Sequence, residues 1–487
     1  MTLTFYILAP IIALILSVLA VCLLRALAVP KAGQAGSLNP ESAAGFAGAE
    51  EKLAALVRIP TVSHFNPGEE DEGAFMALLE EVSRLFPLAI SRLIHVEAGD
   101  RALVLEWPGS DASLDPVVLT AHFDVVPPGD LALWEHGPFS GTIQDGYVHG
   151  RGCQDIKITL ASILEAAEKL LHEGFVPRRS VYLAFGGDEE TGGTRGARSI
   201  AGILAERGIR PAFLLDEGGP VACDVLKFAD RPLALVGISE KGYVDIAIEA
   251  IGSGGHASMP PPHTASGAVA RTVAMSENHP FPARISYTLA RMLEGLCPYV
   301  PFMYRLLFRN LFITAPLVKL AFAASPTTNA LVRTTTAATM LTGSDKENVL
   351  PESATAILNV RVLPGNTVGE TMTRISSMAA RCGAGARLAH EGRANDPMPE
   401  SPVDHFGYQS IEAAVATAFP EAGTIPFMFT AGTDTKHYRN LTPAIYRFTP
   451  LFQNPQDIAR VHAANERVSV ENIHRCCLFY ETLLRGI

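Results

Sequence analysis

Apolar and polar positions along this 487-residue chain fall into four patterns. The first is unbroken: from Met1 to Leu24, "MTLTFYILAPIIALILSVLAVCLL", no side chain is charged. At about 1.5 Å per helical residue, such a run spans a hydrocarbon core of about 30 Å. The second is a short apolar run stopped by a polar group. "DPVVLTAHFDVVP" (115–127) is broken by His122 and Asp124, "RSVYLAFGGDEE" runs into Asp188, Glu189 and Glu190, and "IRPAFLLDEGG" ends at Asp216. Each predicts a buried strand. The third is helical: Ile158, Leu160, Ile163, Leu164, Ala167, Leu170 and Leu171 follow Asp155, and "RGARSIAGILAER" follows a Gly-rich turn. The fourth is the alternation of "YVDIAIEAI", which predicts a half-buried strand, with a helix-like "SGAVARTVAMSEN", a strand "TAILNVRVLP" and a helix "VGETMTRISSMAARC" further on.

Strands alternating with amphipathic helices predict an α/β fold with a mainly parallel sheet covered on both faces. Sites in such sheets form at the carboxyl ends of strands. His122, Asp124, Asp155, the Asp188–Glu190 triplet and Asp216 therefore converge on one crevice. The N-terminal run predicts a membrane anchor over residues 1–29. It lacks the basic start of a signal peptide and exceeds the usual length of its apolar region. Arg25 and Lys31 do not settle the orientation. Residues 30–45 read as a small-residue linker.

Composition narrows the classes. With 48% apolar and 18% charged residues the bulk is globular, and the length calls for at least two domains. A formal net charge of -11 without clustered Lys and Arg excludes nucleic acid as the main partner. Seven cysteines without a C-x-x-C pair form neither a disulfide framework nor a zinc knuckle, and read as small buried hydrophobes, Cys153 included.

Carboxylates crowded at a buried rim need cations or protons. Imidazole beside carboxylate suits a transition metal such as zinc, whereas calcium and magnesium prefer oxygen alone. A further His462 stands downstream in "VHAANE", ahead of Asn465 and Glu466. A lone histidine of this kind is more often structural. The whole set, two histidines with three carboxylates, suits two zinc ions. There is no G-x-S-x-G, no H-E-x-x-H and no phosphate-loop G-K-[ST] after "GGDEETGG".

Eight stretches carry a resemblance: "TAHFDVVP", "HGRGCQDIK", "FGGDEETGG", "LLDEGG", "GSGGHASMP", "ENVLPESATAILNVRVLPGNT", "AGTDTKHY" and "VHAANE". In this order, over roughly residues 50–487, the chain resembles the co-catalytic zinc metallopeptidase family of carboxypeptidase S, aminoacylase and glutamate carboxypeptidase. The anchor and "NALVRTTTAATM" are most similar to the carboxypeptidase S branch, which includes the fatty-acyl amino acid synthase/hydrolases. The resemblance implies Asp155 bridging two zinc ions, His122 and Asp216 completing one site, and Glu190 and His462 the other. Asp124 would orient His122, and Glu189 would be the general base for a metal-bound water. Asp188 reads as a solvated or turn-capping acid. It further implies a catalytic domain in two parts, 46–237 and 396–487, and an inserted lid domain, 238–395, that allows a homodimer. His256 of the lid would steady the oxyanion, Arg361 would read the substrate carboxylate and Asn348 would add a polar contact. The expected substrate is a small peptide or an N-acyl amino acid with a free carboxylate.

The sequence departs from the family at Lys436, where Arg is common, and at Ala463, where Gly is. Lys lacks a bidentate fork, which puts a substrate role for Lys436 in doubt. A binding protein on the same scaffold without turnover is the rival, and retention of Glu189 and every ligand position argues against it. The stretch 297–336 is too often interrupted by Arg305, Arg309 and Lys319 to span a membrane, yet too apolar for an ordinary surface. It is expected to pack on the domains, to self-associate, or to line an acyl channel or rest on a bilayer.

Overall fold

In the computed structural model, which describes residues 2–34, 36–38, 44–225 and 228–487, an eight-stranded sheet organises the body of the chain. Its strands run in the order Ile94–His95, Ala102–Trp107, Val181–Gly186, Val117–His122, Phe213–Ala222, Ile445–Gln453, Leu233–Glu240 and Gly423–Phe429. The pairings of Val117–His122 with Val181–Gly186 and Phe213–Ala222 are parallel, as are Phe213–Ala222 with Ile445–Gln453 and Leu233–Glu240 with Gly423–Phe429. One margin, at Ile94–His95 and Ala102–Trp107, is antiparallel. The expected mainly parallel α/β sheet is therefore present.

Helices on both faces explain why Val117–His122 and Val181–Gly186 are buried at every position. Val117, Leu119 and Leu183 pack with Leu160 and Ile163 of the Lys157–His172 helix and with the Val470–Gly486 helix. Val118, Tyr182 and Leu214 face the other way, onto Ile200 and Leu204 of the Ala197–Glu206 helix. The predicted helix after Asp155 forms, but the strand expected to end at Asp216 continues to Ala222.

A second, four-stranded antiparallel sheet holds Thr335–Thr342, Ser353–Val362, Gly242–Ile251 and Gly385–Leu388 in that order. Burial alternates along Ser353–Val362, as a strand with one covered face requires. That face meets the Ala265–Asn278 and Val368–Cys382 helices. The latter begins with a Thr367–Glu370 capping box and stops at Gly383, whose φ of 82° suits the left-handed stop.

Two expectations shift. The division expected at residue 238 falls inside Leu233–Glu240, which stays in the large sheet to Glu240 before the chain enters the small one at Gly242. Part of the expected insertion belongs to neither face of the small sheet. The Tyr287–Leu296 helix sets Leu289, Met292 and Leu293 against Leu233, Leu235, Ile425 and Met428 of the large sheet. The helices Phe302–Phe308, Leu311–Phe322 and Pro326–Val332 continue from there. The N-terminal helix runs Thr2–Leu27, and its Leu8–Leu27 part is long and apolar enough to cross a membrane. The expected linker lies partly outside the described residues. All seven cysteines are unpaired, and only Cys223 is not buried.

Candidate metal centre

The polar groups that stop the strands meet at the rim of the large sheet. His122 closes its strand in register with Gly186, so it stands beside the turn that carries Glu189 and Glu190. His122 Nε2 lies 3.2 Å from Asp155 Oδ1, while His462 Nε2 lies 2.9 Å from Asp155 Oδ2 and 3.2 Å from Glu190 Oε1. Asp155 thus stands between the two imidazoles with one oxygen toward each. Two overlapping sets, His122–Asp155–Glu190 and His122–Glu189–Glu217, bring one donor atom from each member within 4.8 Å of the others.

Glu217, which the sequence reading did not single out, also comes near His122. Its Oε1 is 3.6 Å from His122 Nε2. Asp216, expected in that place, is not in either set. It is buried, its Oδ2 has no hydrogen-bond partner, and it lies close enough to Asp434 and Tyr438 to raise the pKa of both. The strand pairing is irregular here, with Arg447 opposite Asp216 and Phe448 opposite Gly219, and the His122 charge acts on both Asp216 and Glu217.

Supporting contacts fix the set. His122 Nδ1 is 3.0 Å from the Asp124 carbonyl and 3.3 Å from its carboxylate. That carboxylate also accepts from Glu189 N at 3.0 Å, Glu190 N at 3.1 Å and Ser63 Oγ at 2.7 Å. Asp124 therefore positions the histidine and both glutamates. Asp188 is a turn cap and not solvated: it is buried and accepts from Arg195 N at 2.7 Å and Gly196 N at 2.8 Å. Glu466, fully buried, accepts from the backbone N–H groups of Gly152, Gln154 and Asp155 and from Arg151 Nη1 at 2.7 Å. It clamps the loop that presents Asp155 to the segment that presents His462.

Electrostatics match the crowding. Burial, then Asp434, raise Glu189 well above the usual carboxylate range. Burial also raises Glu190 and Glu217, with Asp155 adding to both. Asp155 is lowered, because hydrogen bonds from His122 and His462 outweigh its burial. His462 rises to about 10 through Asp155 and Glu190. Imidazoles held cationic between carboxylates mark where positive charge is needed. Burial raises the Cys153 thiol well above its usual range, which fits packing and not nucleophilic use.

A cavity of about 670 Å³ opens from this rim and is lined by Glu189, Glu190, Lys241, Tyr243, Arg361 and Lys436, among others. Arg361 reaches it from the small sheet, where its guanidinium lies 4.7 Å from the Tyr243 ring centroid. His256 and Asn348 do not line it. They sit together at an exposed two-stranded ribbon, Gly255–His256 with Val349–Leu350, where Ala257 N donates to the Asn348 carbonyl and His256 Nδ1 lies 2.8 Å from Ser258 Oγ.

Residues 118–486 match the model of Peptidase family M20/M25/M40. The chain belongs to this family. It is 38% identical over 429 residues to an N-fatty-acyl-amino acid synthase/hydrolase PM20D1 of Bos taurus, covering 87% of this chain and 84% of that one. It is 31% identical over 473 residues to Carboxypeptidase S of Saccharomyces cerevisiae, covering 86% and 81%. Among solved structures, an M20 family metallo-carboxypeptidase Sso-CP2 from Sulfolobus solfataricus superposes with a TM-score of 0.65 at 16% identity, covering 90% of this chain and 98% of that one. The branch resembled in the sequence is thus the one found, and the chain is an enzyme of a metal-dependent peptidase family. The donor set fits such a metal: two imidazoles and several carboxylates share one rim, with donor atoms within 4.8 Å of one another.

Proposed function

We propose that this protein is a two-zinc amidohydrolase that cleaves a C-terminal peptide bond or the amide of an N-acyl amino acid. The carrying observation is the convergence of His122, Asp155, Glu189, Glu190, Glu217 and His462 at one rim, where Glu189 and Glu190 line a cavity that Arg361 also lines. In this reading His122, Asp155, Glu190, Glu217 and His462 would hold the two ions. When bound, the ions would polarise the scissile carbonyl and acidify water.

The remaining work falls to the chain. Glu189, aimed by the Asp124 bond to its backbone N–H and raised by burial, takes a proton from the attacking water and returns it to the leaving amine. Arg361 pairs bidentately with the substrate carboxylate across the cavity. His256 and Asn348, at the exposed ribbon, act on the oxyanion of a second copy's site in a homodimer built through the small sheet. The exposed Met340 and Leu341 of its Thr335–Thr342 edge strand support that surface. The two sheets correspond to a catalytic domain and a lid. The Leu8–Leu27 helix anchors the body to a membrane.

Substrate class follows from the relatives' names, which describe one enzyme for N-fatty-acyl amino acids and one carboxypeptidase. Retention of Glu189 opposes a non-catalytic binding role. The test is hydrolysis by the zinc-loaded protein of matched dipeptides and N-acyl amino acids on one apolar residue, with amide counterparts lacking the carboxylate. Turnover that requires both metal and free carboxylate is expected. Full turnover after chelation, or indifference to the carboxylate, refutes the reading.

A further inference from the structure

The Leu311–Phe322 helix is built inside out. Its exposed positions are Phe312, Ile313, Pro316, Leu317, Leu320 and Ala321, which recur at one helical face and are all apolar. Phe312 is 61% exposed and Leu320 72% exposed, whereas Val318 on the opposite face is buried. A water-facing helix places polar residues outward. Two charges flank this face: Lys319 is half-buried, with a stem long enough to carry its ammonium toward polar surroundings, and Arg25 stands at Phe312.

This face adjoins the exit of the N-terminal helix. Asn310 Nδ2 donates to the Cys22 carbonyl at 3.1 Å, the Arg25 guanidinium lies 5.2 Å from the Phe312 ring centroid, and Cys22 and Ala26 are buried against the neighbouring helices. The exposed leucines 16, 19, 23, 24 and 27 of that helix therefore lead toward the exposed face of Leu311–Phe322, with Arg25 at the junction. Twelve residues make a helix of about 18 Å, too short to cross a bilayer but suited to lie in its interface.

We infer that the outward face of Leu311–Phe322 is a second membrane contact, seated in the acyl boundary of the bilayer that the N-terminal helix crosses. The inference rests on the anchor reading and adds that the body docks on the lipid in one fixed orientation. The Pro326–Val332 helix carries this contact toward the cavity, because Lys241 Nζ, on the cavity wall, donates to the Ala330 and Arg333 carbonyls at 3.1 and 3.0 Å.

The test uses the full chain with Cys223→Ser, reconstituted in phosphatidylcholine vesicles. An environment-sensitive fluorophore is placed singly at Leu320→Cys, Leu317→Cys, Leu16→Cys in the N-terminal helix, and Val176→Cys on the exposed body. Blue-shifted emission and quenching by doxyl-labelled lipid at 320, 317 and 16, but not at 176, are expected. Quenching at 16 with none at 320 and 317 overturns the docking contact and leaves the anchor standing. A blue shift at 320 that grows with protein concentration and resists the lipid quencher also overturns it, assigning the face to a second copy. Quenching at 320 and 317 without quenching at 16 refutes the anchor and with it the docked orientation inferred here, and no quenching at any position refutes both.

Discussion

Replacing Glu466 by Gln tests whether one buried carboxylate couples the two halves of the metal centre. Glu466 Oε1 accepts from Gln154 N at 2.7 Å and Asp155 N at 3.3 Å, and Oε2 accepts from Arg151 Nη1 at 2.7 Å. Gln keeps the shape and one acceptor. With that oxygen toward the backbone, the amide NH₂ faces the Arg151 guanidinium, two donors in contact. The Arg151 side chain is only 2% exposed, so its charge is left buried and unmatched. Removing one member of a buried pair costs about 3 to 5 kcal/mol. The bonds that Gln retains, and the Trp134 ring 5.4 Å from the guanidinium, place the expected loss at the lower end, about 3 kcal/mol. The loop also loosens at Asp155, so zinc affinity should fall by about 10- to 100-fold. Urea unfolding of the metal-free protein reads the first effect and competitive zinc titration the second. Adding Arg151→Met to Glu466→Gln should recover part of the stability, since the stranded charge goes. Unchanged unfolding and unchanged zinc affinity in Glu466→Gln would refute the reasoning.

Three other outcomes are expected. Glu189→Gln should lower turnover on the order of 100-fold or more with zinc content unchanged, because it removes proton transfer and not ligation; normal turnover would end the general-base assignment. Glu217→Gln should reduce bound zinc measured by metal analysis, while Asp216→Asn should retain it. The reverse result would restore the ligand set expected from the sequence. Lys241 is pushed down from 10.5 to about 7, by burial and then by Arg361. Between those values the unfolded chain holds a proton that the folded one lacks, so folding stability rises with pH across that window. The unfolding free energy of the wild type relative to Lys241→Met should therefore climb by about 1 kcal/mol per pH unit above pH ~7, and a flat difference would contradict the assignment.

Much of this protein is written in local pattern. A run such as Val117–His122 must be buried on both faces, since every position is apolar or small until its polar end. A polar group at that end can only face the rim where loops converge. His122, Glu189, Glu190 and the helix after Asp155 were legible for that reason, as was the apolar N-terminal run. Tertiary structure decided whatever depends on phase or on distance through space. Asp216 and Glu217 are neighbours in sequence, and only the folded strand shows that Glu217 also comes within 3.6 Å of His122. Glu466 and Arg151 stand 315 residues apart in the chain, so no spacing announces their contact. Asp188 sits in the same acidic triplet as the candidate base, yet turns inward to cap Arg195 and Gly196. Arg361 lies in the small sheet, whereas His256 lies in a separate two-stranded ribbon with Val349–Leu350. The segment 297–336 was recognisably greasy, but its outward-facing side follows from which face the large sheet covers. Composition sets what must be buried, and the packing of distant elements sets what is left exposed.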